Sequence, residues 1–228
     1  MKKPRKNGKF ISIKPKLLVK NPSEELAEFI GIMLGDGNIN PTYWHKKKKK
    51  YMQQYVIRIC GHKEDDKKYL INYVKPLVYR LFKTKFNIHY HKSKKALYLA
   101  IGHKNLYFTL LYWGLIPGNK KSNNVKIPDW IFSNKKYIRA CIRGLIDTDG
   151  SVVITKRYKF NFIWLKSSIP NLRDSISKAM SMLNYKMDKW RGKTDTLQTC
   201  IGTKYTIKKY HKEISSNNPK HIKRFIID

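Results

Sequence analysis

Phe29-Ile30-Gly31-Ile32-Met33-Leu34-Gly35-Asp36-Gly37 and Ile142-Arg143-Gly144-Leu145-Ile146-Asp147-Thr148-Asp149-Gly150 are two loose copies of one nonapeptide. Each copy runs through a stretch with helical apolar spacing and ends in Asp-Gly. Asp149 follows Asp36 by 113 residues, close to half of the 228-residue chain. With 15 acidic residues against 49 basic ones, a carboxylate at the same place in both halves needs a reason. A two-fold site that holds metal beside a polyanion supplies one.

The glycines give the first half of that reason. Gly31 and Gly35 are four apart and share a helix face, as do Gly144 and Thr148. Interior glycine costs a helix about 1 kcal/mol relative to alanine, and close approach of two helix backbones is what repays it. Gly37 and Gly150 read as helix-ending residues, where glycine permits a left-handed turn. The aspartates give the second half. A helix C-terminus carries partial negative charge, so a carboxylate there is disfavoured. Packing two such ends together worsens the repulsion. A divalent cation between Asp36 and Asp149 relieves it, and hard oxygen ligands suit Mg²⁺.

Working outward, the same order of elements appears twice. After a Lys-rich arm, Pro22-Ser23-Glu24-Glu25 starts the first helix. A hairpin follows, with the lysine run 46–50 at its turn and Tyr51 to Cys60 as its second strand. Glu64 to Phe82 is helical in spacing, and Pro76 within it predicts a kink or break. Lys85 to His91 alternates, with Phe86, Ile88 and Tyr90 on one face. Leu97 to Ile101 pairs with it, and a short helix runs to Trp113. In the second half the strands are Ser151–Lys156 and Lys159–Lys166, and Pro170 opens the next helix. Two more strands and a helix complete the copy. Leu97-Tyr-Leu-Ala-Ile-Gly-His-Lys104 matches Leu197-Gln-Thr-Cys-Ile-Gly-Thr-Lys204. The expected fold is mixed α/β (α+β): a pseudo-two-fold monomer of two αββαββα repeats about a central two-helix interface. The boundaries are a basic arm (1–20), a first repeat (21–117), a linker (118–130) and a second repeat (131–228).

Composition narrows the partner. A net charge of +34 opposes a compact state unless a polyanion shares the field. Nucleic acid fits better than a membrane, because charge spread along the chain can neutralise many phosphates, no apolar run is long enough to span a bilayer and no signal-type segment follows the N-terminus. Cys60, Cys141 and Cys200 lack metal or disulfide spacing and read as reduced thiols of an intracellular, non-secreted protein. Outward strand positions suited to reading base edges are Arg58, Lys85, Asn87, His89, His91, Lys159, Arg191 and Gln198. Lys46 and Lys48, in the lysine run, are phosphate contacts.

The pair of nonapeptides resembles the LAGLIDADG motif, and the chain is similar to single-chain, two-repeat LAGLIDADG homing endonucleases encoded in introns. The second copy is the closer match, whereas the first has Leu34 where the motif has its earlier Asp. The resemblance implies saddle-shaped antiparallel sheets that each take one half-site of a long pseudo-palindromic duplex. It implies Asp36 and Asp149 as catalytic metal ligands, Gly35 and Thr148 beside them, and two or three divalent cations between the carboxylates. It places a polar residue on the second strand of each first hairpin, here Gln54 and Asn161. Alternation puts Phe160, Phe162 and Trp164 toward the helices and Asn161 on the opposite face. A lysine after the last helix of a repeat falls on Lys120 or Lys121, with Lys121 preferred, and on Lys220 or Lys223 in the second copy. The implied reaction is Mg²⁺-dependent hydrolysis giving a staggered double-strand break.

Two other readings use the same scaffold: a maturase that binds intron RNA, and a DNA-binding regulator without catalysis. Retained carboxylates beside phosphate argue against the regulator, and no helix-turn-helix follows the second repeat. The chain neither begins with a splicing nucleophile nor ends in His-Asn, so an intein is not expected.

Overall fold

In the computed structural model, which describes residues 5–6, 9–10, 15–45, 49–91, 94–155 and 160–225, two short strands, β1 (Arg5–Lys6) and β2 (Lys9–Phe10), pair near the N-terminus. Helix α1 (Glu24–Gly35) follows, capped by Ser23, whose Oγ accepts the Leu26 N–H at 3.1 Å. Glu24 and Glu25 occupy its first turn, where the helix dipole favours negative charge. Strands β3 (Gly37–His45) and β4 (Lys50–His62) form the expected hairpin. Next come α2 (Lys67–Tyr69), a π turn over Leu70–Val74, and α3 (Lys75–Phe82). The π turn answers Pro76: the chain widens just before it, so the missing N–H falls in a first turn rather than mid-helix. Strands β5 (Asn87–Tyr90) and β6 (Ala96–Gly102) complete an antiparallel sheet of order β3-β4-β6-β5, and α4 (Lys104–Tyr112) closes the first half.

The second half repeats this order after a 3₁₀ turn over Asp129–Ser133. Helix α5 (Lys135–Asp149) leads into β7 (Gly150–Thr155), β8 (Phe160–Ser167), α6 (Pro170–Met182), β9 (Leu197–Ile201) and α7 (Lys204–Glu213). A further helix, α8 (Pro219–Phe225), lies against β7. The matched Ile-Gly-His-Lys and Ile-Gly-Thr-Lys segments do the same job. His103 Nδ1 caps α4 and Thr203 Oγ1 caps α7, each accepting an N–H three residues on, at 3.0 and 3.1 Å.

Three expectations are corrected. The second sheet, β7-β8-β9, has no full fourth strand: a single bridge joins Arg191 to Gln198, with both N–H···O distances 2.8 Å. Asp188 and Lys189, adjacent and both exposed, interrupt the alternation a longer strand needs there. The faces of β8 are also inverted. Asn161, Ile163 and Leu165 point into the core, while Phe162 and Trp164 lie half-buried on the outer face. The aliphatic set packs under the helices. Gly202 leaves the space that Phe162 covers, since a Cβ there would overlap its ring. Finally, neither Gly37 nor Gly150 is left-handed. Each is needed because a Cβ would crowd the preceding turn, at 2.6 Å from the Met33 and Ile146 carbonyl oxygens respectively.

The two halves meet where α1 packs on α5. A Cβ at Gly31 would overlap the carbonyl oxygen of Cys141, one at Gly144 that of Glu28, and one at Gly35 the hydroxyl of Thr148. The helices therefore touch backbone to backbone. Beside this contact a buried polar network crosses the seam. Glu28 receives Arg143 Nη2 at 2.5 Å, the Tyr73 hydroxyl at 2.8 Å and Asn217 Nδ2 at 2.7 Å. Asp147, fully buried, accepts from the Ser216 hydroxyl and from the Asn217 N–H at 2.8 Å. The segment 214–218 thus fastens the end of the second half to the first. A buried ion pair is costly to break from one side, by about 3–5 kcal/mol, so this fastening resists separation of the halves.

Gly144→Ala separates two opposed effects. Helix propensity alone would stabilise by about 1 kcal/mol, whereas a Cβ forced against the Glu28 backbone costs about 1–3 kcal/mol or more. The expected outcome is a lower melting temperature, and a variant that melts above the wild type would refute backbone contact at this position.

Candidate active site

Asp36 stands at the C-cap of α1 and Asp149 is the last residue of α5. The helix packing carries them to one place: the Asp149 carboxyl carbon lies 3.5 Å from where a Cβ on Gly35 would be. Asp36 is half-buried, and Asp149 keeps an exposed edge. Burial, then Asp149, then Asp66 push the Asp36 carboxyl up to about 7, against the pull of Lys120 and Lys220. Desolvation raises the Asp149 carboxyl too, again opposed by Lys120 and Lys220. Two carboxylates that resist ionisation so close together are what a divalent cation would relieve.

Lys120, not Lys121, is the lysine at this centre. Its ammonium donates to the Leu34 carbonyl at 2.8 Å and to the Gly35 carbonyl, filling the negative end of α1. Burial pulls its pKa down, while Asp149 and Asp36 hold it up. Lys121 points elsewhere and pairs with Asp195 at 3.2 Å on the exposed surface. One residue of register separates them, and a Lys-Lys pair offers no sequence signal to choose. Lys220, from the second half, is the other nearby cation, held by Asp66 at 2.7 Å.

The polar strand residues do not join the carboxylates. The Cys60 N–H bonds the Asp36 carbonyl at 3.1 Å, and Gln54 lies six residues back along β4, roughly 20 Å away at about 3.3 Å per residue. Asn161 is buried on the core face, with its amide on the Arg224 carbonyl. Of the expected metal neighbours, the Gly35 carbonyl is engaged by Lys120. The Thr148 hydroxyl donates back into its own helix, to Gly144 and Leu145 at 2.9 and 3.0 Å. Among the described residues no three His, Cys, Asp or Glu groups gather as a metal cage. The donor set that remains is Asp36 and Asp149. It fits a hard cation that takes the rest of its shell from water and phosphate, as Mg²⁺ does.

On the open face of the first sheet, three of the outward strand residues, Arg58, Asn87 and His89, come together with Gln54 and Tyr98 to line a groove of about 300 Å³. Arg58 sits over the Tyr98 ring at 5.5 Å, and His89 stacks on the same ring at 5.2 Å. Lys85 is not part of this face: it precedes β5, and its ammonium lies 5.7 Å from the Tyr79 ring. His91 is exposed just past the end of β5. Arg191 and Gln198 are exposed at the edge of the second sheet. Lys46, Lys48 and Lys159 lie outside the described residues.

Residues 136–215, within the second half, match the LAGLIDADG-like domain family. Among solved structures, the chain is similar to the homing endonuclease I-DmoI in complex with DNA and Ca. That match has a TM-score of 0.62 and 17% identity over 88% of this chain and 95% of that one. It is similar to the LAGLIDADG meganuclease I-AabMI bound to uncleaved DNA (0.57, 12%, 87% and 86%) and to the N-terminal LAGLIDADG domain of DUF199/WhiA (0.55, 15%, 89% and 87%). Two curated relatives are from Methanocaldococcus jannaschii. The replication factor C small subunit is 29% identical over 147 residues, and an uncharacterized protein is 28% identical over 176. The matches take in 64% and 75% of this chain, which spans 8% and 59% of those relatives' lengths. The chain has the LAGLIDADG fold, present in two halves as its repeated motif implies.

The raised Asp36 carboxyl sets a sign for stability. Between the ordinary carboxylate range and about 7, the folded metal-free chain binds more protons at Asp36 than the unfolded chain does. Stability from this group is therefore lost as pH rises through that window. Asp36→Asn removes the ionised form, so in EDTA the variant should melt above the wild type at pH 8 and lose most of that advantage at pH 5. A variant that gains nothing at pH 8 would contradict the crowding of the two carboxylates.

Proposed function

We propose that this two-repeat LAGLIDADG-fold chain is a site-specific DNA endonuclease that makes a staggered double-strand break in a long, pseudo-palindromic duplex. The observation that carries the reading is the meeting of Asp36 and Asp149 at the ends of two packed helices. Lys120 fills the end of α1 next to them, Lys220 of the second half reaches the nearby Asp66, and an open sheet lies to either side. A net charge of +34 supplies the attraction for the phosphate backbone.

In this reading each sheet lies along one half-site. Gln54, Arg58, Asn87 and His89 offer donors and acceptors to base edges in the major groove. Gln198 and Arg191 do so from the second half. Asp36 and Asp149 would hold Mg²⁺ at the point between the half-sites. There it would polarise a phosphodiester oxygen and lower the pKa of a water so that it can lose its proton as it attacks phosphorus. Lys120 and Lys220 place positive charge where the phosphorane-like transition state gains negative charge. The protein acts inside the cell as a monomer, with Cys60, Cys141 and Cys200 as free thiols. A pure binder gains nothing from two crowded carboxylates beside phosphate, which favours catalysis over a regulator built on the same fold. Nothing in the site is specific to intron RNA.

Selecting duplexes from a random pool in Ca²⁺ gives a bound sequence without cleavage, and transfer to Mg²⁺ then tests the reaction. The wild type should cut both strands. Asp36→Asn and Asp149→Asn should each cut slower by on the order of 10²-fold or more, with affinity nearly unchanged. Binding should weaken with salt, log K falling by roughly 0.9 per phosphate neutralised. A selected duplex that stays intact in Mg²⁺ would sink the nuclease reading.

A further inference from the structure

The two halves hold their central lysines in different ways. In the first, Lys120 bonds directly to the Leu34 and Gly35 carbonyls at the end of α1. In the second, the carbonyl of Asp147, the residue matching Leu34, is taken by Asn218 Nδ2 at 2.9 Å. Lys220 therefore lacks the helix-end anchor its counterpart uses. Its ammonium reaches instead across the seam to Asp66, at the N-cap of α2 in the first half, at 2.7 Å.

We propose that Asp66 is a positioning residue for catalysis: from the first half it holds the Lys220 ammonium of the second half beside Asp36 and Asp149. The inference rests on the nuclease reading above. Three donors converge on this one carboxylate. The His62 N–H reaches Oδ2 at 2.8 Å, and Lys220 Nζ and Asn218 Nδ2 reach Oδ1 at 2.7 and 3.3 Å. The His62 bond fixes the carboxylate from its own strand end, so the direction in which it presents Lys220 is set within the first half. The pair is largely enclosed, with side-chain exposures of 25% for Lys220 and 12% for Asp66, unlike the exposed Lys121–Asp195 pair at 56% and 84%. Asp66 also lies close enough to Asp36 to repel it, a placement that is unfavourable unless the acid holds a cation there. The end of β4 places the pair near the centre. The Cys60 N–H holds the Asp36 carbonyl at 3.1 Å, and the His62 N–H, two residues on, holds the Asp66 carboxylate at 2.8 Å. The positive charge of Lys220 therefore falls where it favours both site carboxylates. Among the described residues, Asp66 is the one carboxylate that bonds Lys220 directly, and without it Lys220 would be held near the site only by the longer-range charge of Asp36 and Asp149.

Two readouts test this. Acylation of Lys220 by a small amine-reactive reagent, followed by mass spectrometry, should be slow in the wild type and roughly tenfold faster in Asp66→Asn, with Lys120 unchanged. An unaltered Lys220 rate would overturn the arrangement whether or not the protein cuts DNA. On the duplex selected in Ca²⁺, Asp66→Asn should cut roughly 10- to 100-fold slower in single turnover, the scale of a small misplacement, with affinity unchanged. A purely structural Asp66 would slow cutting in a Lys220→Met background as well, and the proposal requires no further loss there. Lys220→Met keeps Asp66 bonded to His62 and Asn218, so it carries the test if Asp66→Asn fails to fold, and cutting at the wild-type rate would refute the proposal. A wild type that cuts nothing sinks the nuclease reading and the catalytic role with it, while the acylation rates still judge the Asp66–Lys220 contact.

Discussion

Backbone contact between α1 and α5 is the constraint on which the rest of the molecule depends. Gly31, Gly35 and Gly144 remove the side chains that would hold the helices apart, and Thr148 fills the space over Gly35. At this separation the two helix ends, each with its aspartate, share one small volume. The same contact sets the spacing of the two sheets, because β3 and β7 leave directly from the helix ends. One extra methylene at the seam would move both the carboxylates and the sheets. The carboxylate pair and the open faces of the sheets are thus fixed by a single packing decision.

Charge is distributed in keeping with that seam. The surface carries a large excess of lysine and arginine, while several of the scarce acids are turned inward to join the halves. Glu28 and Asp66, both buried, are bonded across the interface, Glu28 to Arg143 and Asn217 and Asp66 to Asn218 and Lys220. Asp147, buried in the second half, holds the closing segment in place through Ser216 and Asn217. A chain that repels itself needs such fastening. In the low-dielectric seam, removing one partner of such a pair would leave a buried charge uncompensated, so the bonds hold the halves in one arrangement.

The duplicated nonapeptide made the architecture legible, since glycine spacing and helix-end aspartates follow from local rules. The hairpins, the helix opened by Pro170 and the outward polar positions of the first sheet came from the same kind of pattern. What failed needed information from outside the segment. In β8 the aromatic and aliphatic sets alternate equally well, and only Gly202, forty residues from Phe162, decides which faces out. Gln54 and Asn161 matched in alignment, yet distance along one strand and burial in the other remove both from the carboxylates. Lys120 and Lys121 are chemically identical neighbours, told apart by the position of the Leu34 and Gly35 carbonyls. Asp66 carried no sequence signal, because its partner is 154 residues away.

The departure of the first motif, Leu34 in place of the earlier Asp, has a structural meaning. Asp147 is the copy that keeps the acid, and its carboxylate anchors Ser216 and Asn217. That anchored segment brings Asn218 onto the Asp147 carbonyl and Lys220 toward Asp66. Leu34 sits in the core, with only its carbonyl used, by Lys120. An acid at 34 would be a buried charge with no matching segment to satisfy it, and burial of an unpaired carboxylate is costly. The motif position therefore tracks which half must hold down the chain's closing segment. Both halves keep Asp36 and Asp149 because those serve the shared centre, whereas the earlier position serves only the half that needs a clasp.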